Sequence, residues 1–131
     1  MGNYRELRAW QVAHEMALEV YRLTARWPSQ ERFGLTAQLR RAAFSAPANI
    51  VEGSVRRGTR EFRRFLDIAL GSIREVEYGL EFAEAIGLGP AGANKKPRQL
   101  ARSAGQLTFL LARGLDRSTR RGSLQPAEPS S

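Results

Sequence analysis

Apolar residues return every three or four positions in four stretches of this chain, and no stretch alternates in twos as a half-buried strand would. In the first, about Tyr4 to Arg26, the residues Ala9, Ala13, Met16, Val20, Leu23 and Trp27 form a heptad-like seam. Trp27-Pro28 ends it, because the residue before a proline is pushed out of the α region. The second helix is predicted from Leu35 to about Arg56, with Leu35, Leu39, Ala42, Ala46, Ile50 and Gly53 on one face. Pro47 lies inside it, removing a backbone donor and predicting a kink or brief restart near Ser45, whose hydroxyl could bond the freed carbonyls. Gly58 separates this helix from a third, predicted over Arg60 to Ile86 with Thr59 as N-cap. Phe62, Leu66, Ala69, Ile73, Val76, Leu80 and Ala83 keep strict helical spacing there, and Phe65, Ile68 and Phe82 widen the apolar face toward more than one neighbour. Gly71-Ser72 in mid-helix predicts close approach of another backbone. The glycine- and proline-rich segment 87–97 is a loop. A fourth helix is expected from Arg98 to Arg117, with Pro97 at its first position and Leu100, Ala104, Leu107, Leu111 and Leu115 facing inward. The fold class is therefore all-α: an up-down-up-down four-helix bundle over residues 1–117, followed by a disordered basic tail over 118–131.

A second stripe runs beside the apolar one on the second helix. Gln38, Arg41, Ser45, Asn49 and Glu52 stack five different hydrogen-bonding groups along one line. One reading is a satisfied polar network at a helix or subunit interface, with Arg41 reaching a carboxylate such as Glu75 and Asn49 bonding backbone. The other is a ligand pocket. The first is preferred here, because buried polar groups at bundle interfaces fix register and partner choice.

Composition narrows the chemistry. The chain has 131 residues, a formal charge of +8 and no cysteine. Only Lys95 and Lys96 are lysines, so the excess is arginine, which favours acidic partners and nucleic acid first among them. Charge is uneven: 9 basic against 5 acidic residues over 1–58, 4 against 6 over 59–93, and 8 against 2 over 94–131. There is no thiol nucleophile, and one histidine, His14, offers no metal set; a triad of His14, Ser45 and Asp67 can be drawn but has no motif behind it. Gly87-x-Gly89 follows a helix, not a strand, so it is no phosphate loop. Trp10 and Tyr21 read as core or interface packing. No cofactor is expected. No stretch is long and apolar enough to span a membrane, and the N-terminus lacks the order of a signal peptide, so a cytoplasmic location is expected.

The densest basic cluster is Arg56, Arg57, Arg60, Arg63 and Arg64, with Arg40 and Arg41 further along the same helix pair. Arg56 and Arg57 suit a helix C-terminus, but Arg60, Arg63 and Arg64 oppose the positive end of the third helix. Such a cluster points to an outside anion, and without interleaved aromatics it points to phosphate rather than base contact. Arg117, Arg120 and Arg121 of the tail could add nonspecific affinity or keep the end soluble.

Trp10-Gln-Val-Ala, Pro28-x-x-Glu31-Arg-Phe-Gly-Leu-Thr-x-Gln38-x-x-Arg41, Ser45-x-Pro47-x-Asn49-Ile50-x-Glu52-Gly53, Glu61-Phe-x-x-Phe65-Leu and Ala69-x-Gly71-Ser72-x-x-Glu75 occur in this order. Over residues 4 to about 88 they resemble the bacterial four-helix-bundle family encoded in intervening sequences of large-subunit ribosomal RNA genes, related to the accessory protein of diversity-generating retroelements. The resemblance implies a closed four-helix bundle, a homopentamer and, for the retroelement branch, binding to nucleic acid and a reverse transcriptase. It does not imply an enzyme. In a ring the arginine corner would repeat as a basic belt, with Arg40, Arg56, Arg57, Arg60, Arg63 and Arg64 as candidate nucleic-acid contacts. The expectation is a non-enzymatic oligomeric adaptor for RNA or DNA; the alternative is a purely structural or protein-binding oligomer.

Overall fold

The computed structural model describes residues 3–124, with side chains described through Ser118. A 3₁₀ turn at Tyr4–Glu6 precedes four α-helices: α1 (Arg8–Thr24), α2 (Leu35–Ser54), α3 (Thr59–Ala85) and α4 (Lys95–Leu124), with a second 3₁₀ turn at Ser29–Glu31. The main contacts run around a square, α1–α2, α2–α3, α3–α4 and α4–α1. Among the described residues there is no strand.

The seams of α1 and α3 are buried as their spacing predicts. Ala9, Ala13, Met16, Val20, Leu23 and Trp27 meet Phe62, Leu66, Ala69, Ile73, Val76, Leu80 and Ala83 in one core. Fully burying a Leu, Ile or Met side chain is worth about 1.5–3 kcal/mol, so these positions dominate cohesion. On α4 the buried line is Ala101, Ala104, Thr108 and Ala112, while Leu100, Leu107, Leu111 and Leu115 are only partly buried at its flanks. The expected face is thus rotated: small residues let α4 settle close, and the leucines straddle the seam.

Three helix boundaries move for local reasons. Leu7 is extended (φ −77, ψ 121), so α1 starts at Arg8 and the preceding residues form the 3₁₀ turn capped by Asn3, whose Oδ1 accepts from the Arg5 amide at 3.0 Å. Thr59 is the first residue of α3, not its cap; Gly58, at φ 88, takes that place in a backbone region that favours glycine. α4 begins before Pro97, which falls in the first turn, where amides have no intrahelical acceptor and a missing N–H costs nothing. Asn94 precedes it, buried and donating from Nδ2 to the Leu80 carbonyl at 3.0 Å. At the other end of this connection Gly87 (φ 77) closes α3: its amide donates to the Glu84 carbonyl and that of Leu88 to Ala83, a paired C-terminal cap.

α2 runs through Pro47 without interruption, so the expected restart is absent. The Ser45 hydroxyl turns to α3 instead of the freed carbonyls. α4 stays helical past Arg117 to Leu124, into the stretch expected to be tail; residues 125–131 lie outside the described residues. The close backbone approach expected at Gly71 occurs elsewhere. A Cβ on Gly71 would meet nothing within 4 Å, whereas one on Gly53 would lie 2.8 Å from the Phe65 Cβ and one on Gly79 would lie 2.7 Å from Leu39 Cδ1.

Candidate nucleic-acid interface

The turn from α2 to α3 carries the arginine cluster on a short, exposed reversal. Arg56 pairs with Glu52 across one helical turn at 2.5 Å, and Arg64 with Glu61 at 3.4 Å. Both guanidinium groups also lie on the Phe65 ring, at 5.2 and 4.6 Å from its centroid. Phe65 is therefore an aromatic within the cluster, where the sequence reading expects no ring among the arginines. Arg63 is bracketed by Asp67, one turn along α3, and by Asp116 of α4 at 3.0 Å. The hydrogen bond to Asp67 first, and that to Asp116, hold its guanidinium above the ordinary arginine value against partial burial. Arg63 is thus a tie between α3 and α4, a role invisible without Asp116.

Arg57 and Arg60 differ from these three. Both are exposed, and neither makes a hydrogen bond or ion pair among the described residues. The neighbouring carboxylates are already engaged. Their charge is consequently open to an outside anion.

Arg40 does not join the cluster. It lies about 24 Å away along α2, from sixteen residues at 1.5 Å rise. Its Nε donates to Thr24 Oγ1 at 2.8 Å and its Nη2 to the Tyr21 carbonyl at 3.2 Å, with the guanidinium 4.5 Å over the Tyr21 ring. It fastens α2 to α1.

Two groups of the polar stripe, Ser45 and Gln38, tie α2 to α3, while Asn49 bonds within α2 and Glu52 pairs with Arg56. Ser72 Oγ lies 2.9 Å from Ser45 Oγ, and Asn49 Nδ2 donates to the Ser45 carbonyl at 2.8 Å and hydroxyl at 3.0 Å. Gln38 Nε2 donates to Glu75 Oε2 at 3.3 Å, taking the carboxylate expected for Arg41. Arg41 is exposed and forms no such pair among the described residues. Glu52 serves Arg56. The hydroxyl pair and the asparagine satisfy one another, which leaves no converging unpaired donors of the kind a ligand pocket needs.

Apolar surface flanks α2 on both sides. Against α1, a groove of about 540 Å³ is lined chiefly by Trp10, His14, Leu18, Tyr21, Phe44 and Val51. Against α3, a second groove is bordered by Phe33, Leu35, Gln38, Glu75, Tyr78 and Phe82. Phe33 is 88% exposed, Phe44 65% and Tyr78 64%. Ile68 and Phe82, expected to widen the apolar face of the third helix toward more than one neighbour, are exposed as well. His14 stacks on Trp10 (centroids 4.8 Å, planes 11° apart), Ser45 is held by Asn49 and Ser72, and Asp67 by Arg63, so the three do not assemble into a triad. Among the described residues no group of carboxylates and histidine could hold a metal, and no helix is long and apolar enough to cross a membrane.

Comparison with known proteins agrees with this architecture. The family model described as 23S rRNA-intervening sequence protein matches residues 5–109. A crystal structure of a protein of unknown function from the S23 ribosomal protein family of Bacteroides thetaiotaomicron is similar in fold. It has a TM-score of 0.71 and 21% identity, over 79% of this chain and 97% of that one. No curated protein matches the chain.

Proposed function

This chain belongs to the 23S rRNA-intervening sequence protein family, and we propose that it acts as a non-enzymatic, self-assembling adaptor whose basic surface holds nucleic acid. One observation carries the reading: Arg57 and Arg60 stand exposed and unpaired at the α2–α3 turn while Glu52, Glu61, Asp67 and Asp116 around them are engaged by other arginines. A cation whose local partners are already spent gains most from an external phosphate. Each phosphate neutralised releases condensed counterions, so affinity comes with a steep dependence on salt. The two apolar grooves beside α2 support self-assembly, since monomers rarely leave several large hydrophobic side chains open on adjacent faces. A homopentamer is the assembly that the resemblance implies, and any chemistry would come from a partner such as a reverse transcriptase.

The alternative, an oligomer that binds only protein, draws on the same ion pairs: with Arg56, Arg63 and Arg64 neutralised internally, much of the corner's charge is structural. The two readings separate in a binding titration against salt, comparing wild type with the Arg57→Ala, Arg60→Ala double variant. The adaptor reading expects the slope of log K on log salt to flatten by about two, close to one for each lost phosphate contact. Identical slopes would leave only the protein-binding oligomer.

A further inference from the structure

Topology gathers more charge at this end of the bundle than the α2–α3 turn alone supplies. In an antiparallel bundle the start of α1, the end of α2, the start of α3 and the end of α4 share one end. The Arg63–Asp116 pair at 3.0 Å brings the last two together directly. Arg5 and Arg8 are fixed at the start of α1: Gln11 Nε2 donates to the Arg5 carbonyl at 2.8 Å, and Arg8 Nη1 donates to Gln11 Oε1 at 3.3 Å. Arg113 and Arg117 are exposed on α4 level with the first turns of α3, before α4 runs on to Leu124, and the carboxylate between them, Asp116, is taken by Arg63. The opposite end is mixed. There Arg26, Arg32, Lys95, Lys96 and Arg102 share the surface with Glu31, Glu81 and Glu84.

Building on the adaptor reading above, we infer that the whole end of the bundle, with Arg113 and Arg117 of α4 acting beside Arg57 and Arg60, forms one seat for the phosphate backbone of a nucleic-acid duplex. Helices packed about 8–10 Å apart make this end face roughly 20 Å across, comparable to the width of a duplex. Duplex rather than single strand follows from the aromatics. Binding an unpaired strand relies on stacking bases against free rings. The rings at this end already carry guanidinium groups: Phe65 those of Arg56 and Arg64, Phe109 that of Arg113 and Tyr4 that of Arg5. Cations from separate elements can meet phosphates on both strands without reading a base.

Anisotropy titrations of the full chain test this with a labelled 20-base-pair duplex and one of its single strands, at several salt concentrations. Circular dichroism first establishes that each variant is folded. The Arg113→Ala, Arg117→Ala variant is expected to flatten the duplex salt slope by about two, as the corner variant does, so that its affinity changes roughly tenfold less than wild type between 50 and 200 mM salt. Lys95→Ala with Arg102→Ala, at the other end, should keep the wild-type slope. A wild-type slope from the α4 variant, with a flattened one from the corner variant, would overturn the inference and leave the adaptor reading standing. Equal flattening by the opposite-end variant would also overturn it, as would tighter binding of the single strand. No flattening by either end variant would remove the adaptor reading itself.

Discussion

Gly53→Ala adds one methyl group where α2 and α3 come closest. The new Cβ would lie 2.8 Å from the Phe65 Cβ and 2.9 Å from Phe62 Cδ1. Neither atom can swing away: a Cβ moves only with its backbone, and Phe62 is buried in the core. The helices must therefore separate by several tenths of an ångström. Overpacking of this kind costs about 1–3 kcal/mol, and the Gly-to-Ala gain in helix propensity offsets about 1 kcal/mol of it. With two anchored contacts the cost sits toward the upper end, so the expected net loss is about 1–2 kcal/mol. For a chain of this size that corresponds to a fall in Tm of roughly 3–8 °C. Gly114→Ala is the control. Nothing lies within 4 Å of its Cβ position, so the substitution should stabilise by about 0.4–1 kcal/mol through helix propensity and a less flexible unfolded chain. Thermal unfolding followed by circular dichroism, at one protein concentration because assembly shifts Tm, measures both. If Gly53→Ala raises Tm as Gly114→Ala does, the close α2–α3 packing described here is wrong.

Three more outcomes can be checked. Ser45→Ala strips Ser72 and Asn49 of a shared hydroxyl partner and should cost about 1 kcal/mol in urea unfolding, with an unchanged m-value. Phe44→Glu, on a side chain 65% exposed, should leave the helical spectrum intact while lowering the solution mass, and an unchanged mass would exclude the α1–α2 groove as a contact between copies. Glu19 links α1 to Lys96 of α4 at 3.2 Å and to Arg22 at 2.7 Å; burial alone would raise its pKa, but these two cations hold it below the ordinary 4.5. Its contribution is therefore full above about pH 4.5 and is lost as pH falls through the lower folded value, so Glu19→Gln should flatten the acid limb of the stability curve.

The helices were legible because their seams are long. On α1 and α3, side chains of similar size repeat at helical spacing, and that pattern reports burial directly. α4 misled because its leucines are larger than the alanines beside them. Hydrophobicity ranks Leu first, whereas close packing against two neighbours puts Ala101, Ala104 and Ala112 at the centre. Glycine was ambiguous for the same reason. Gly71, Gly53 and Gly79 look alike in sequence, and only the neighbouring helix decides which must lack a Cβ. At the arginine corner, proximity in sequence identified the cluster but not its partners. Asp116 lies more than fifty residues from Arg63, so the division into engaged arginines and free Arg57 and Arg60 needed the fold. Arg40 shows the converse: near the cluster in sequence, it is two dozen ångströms distant because a helix spreads residues along its axis.

The most direct test of the account is the salt dependence of wild-type binding to an unrelated nucleic-acid duplex. With at least Arg57, Arg60, Arg113 and Arg117 each meeting a phosphate, log K should fall with log salt at a slope of about −4 or steeper, independent of sequence. Binding that ignores salt, or no binding at low ionic strength, would contradict it.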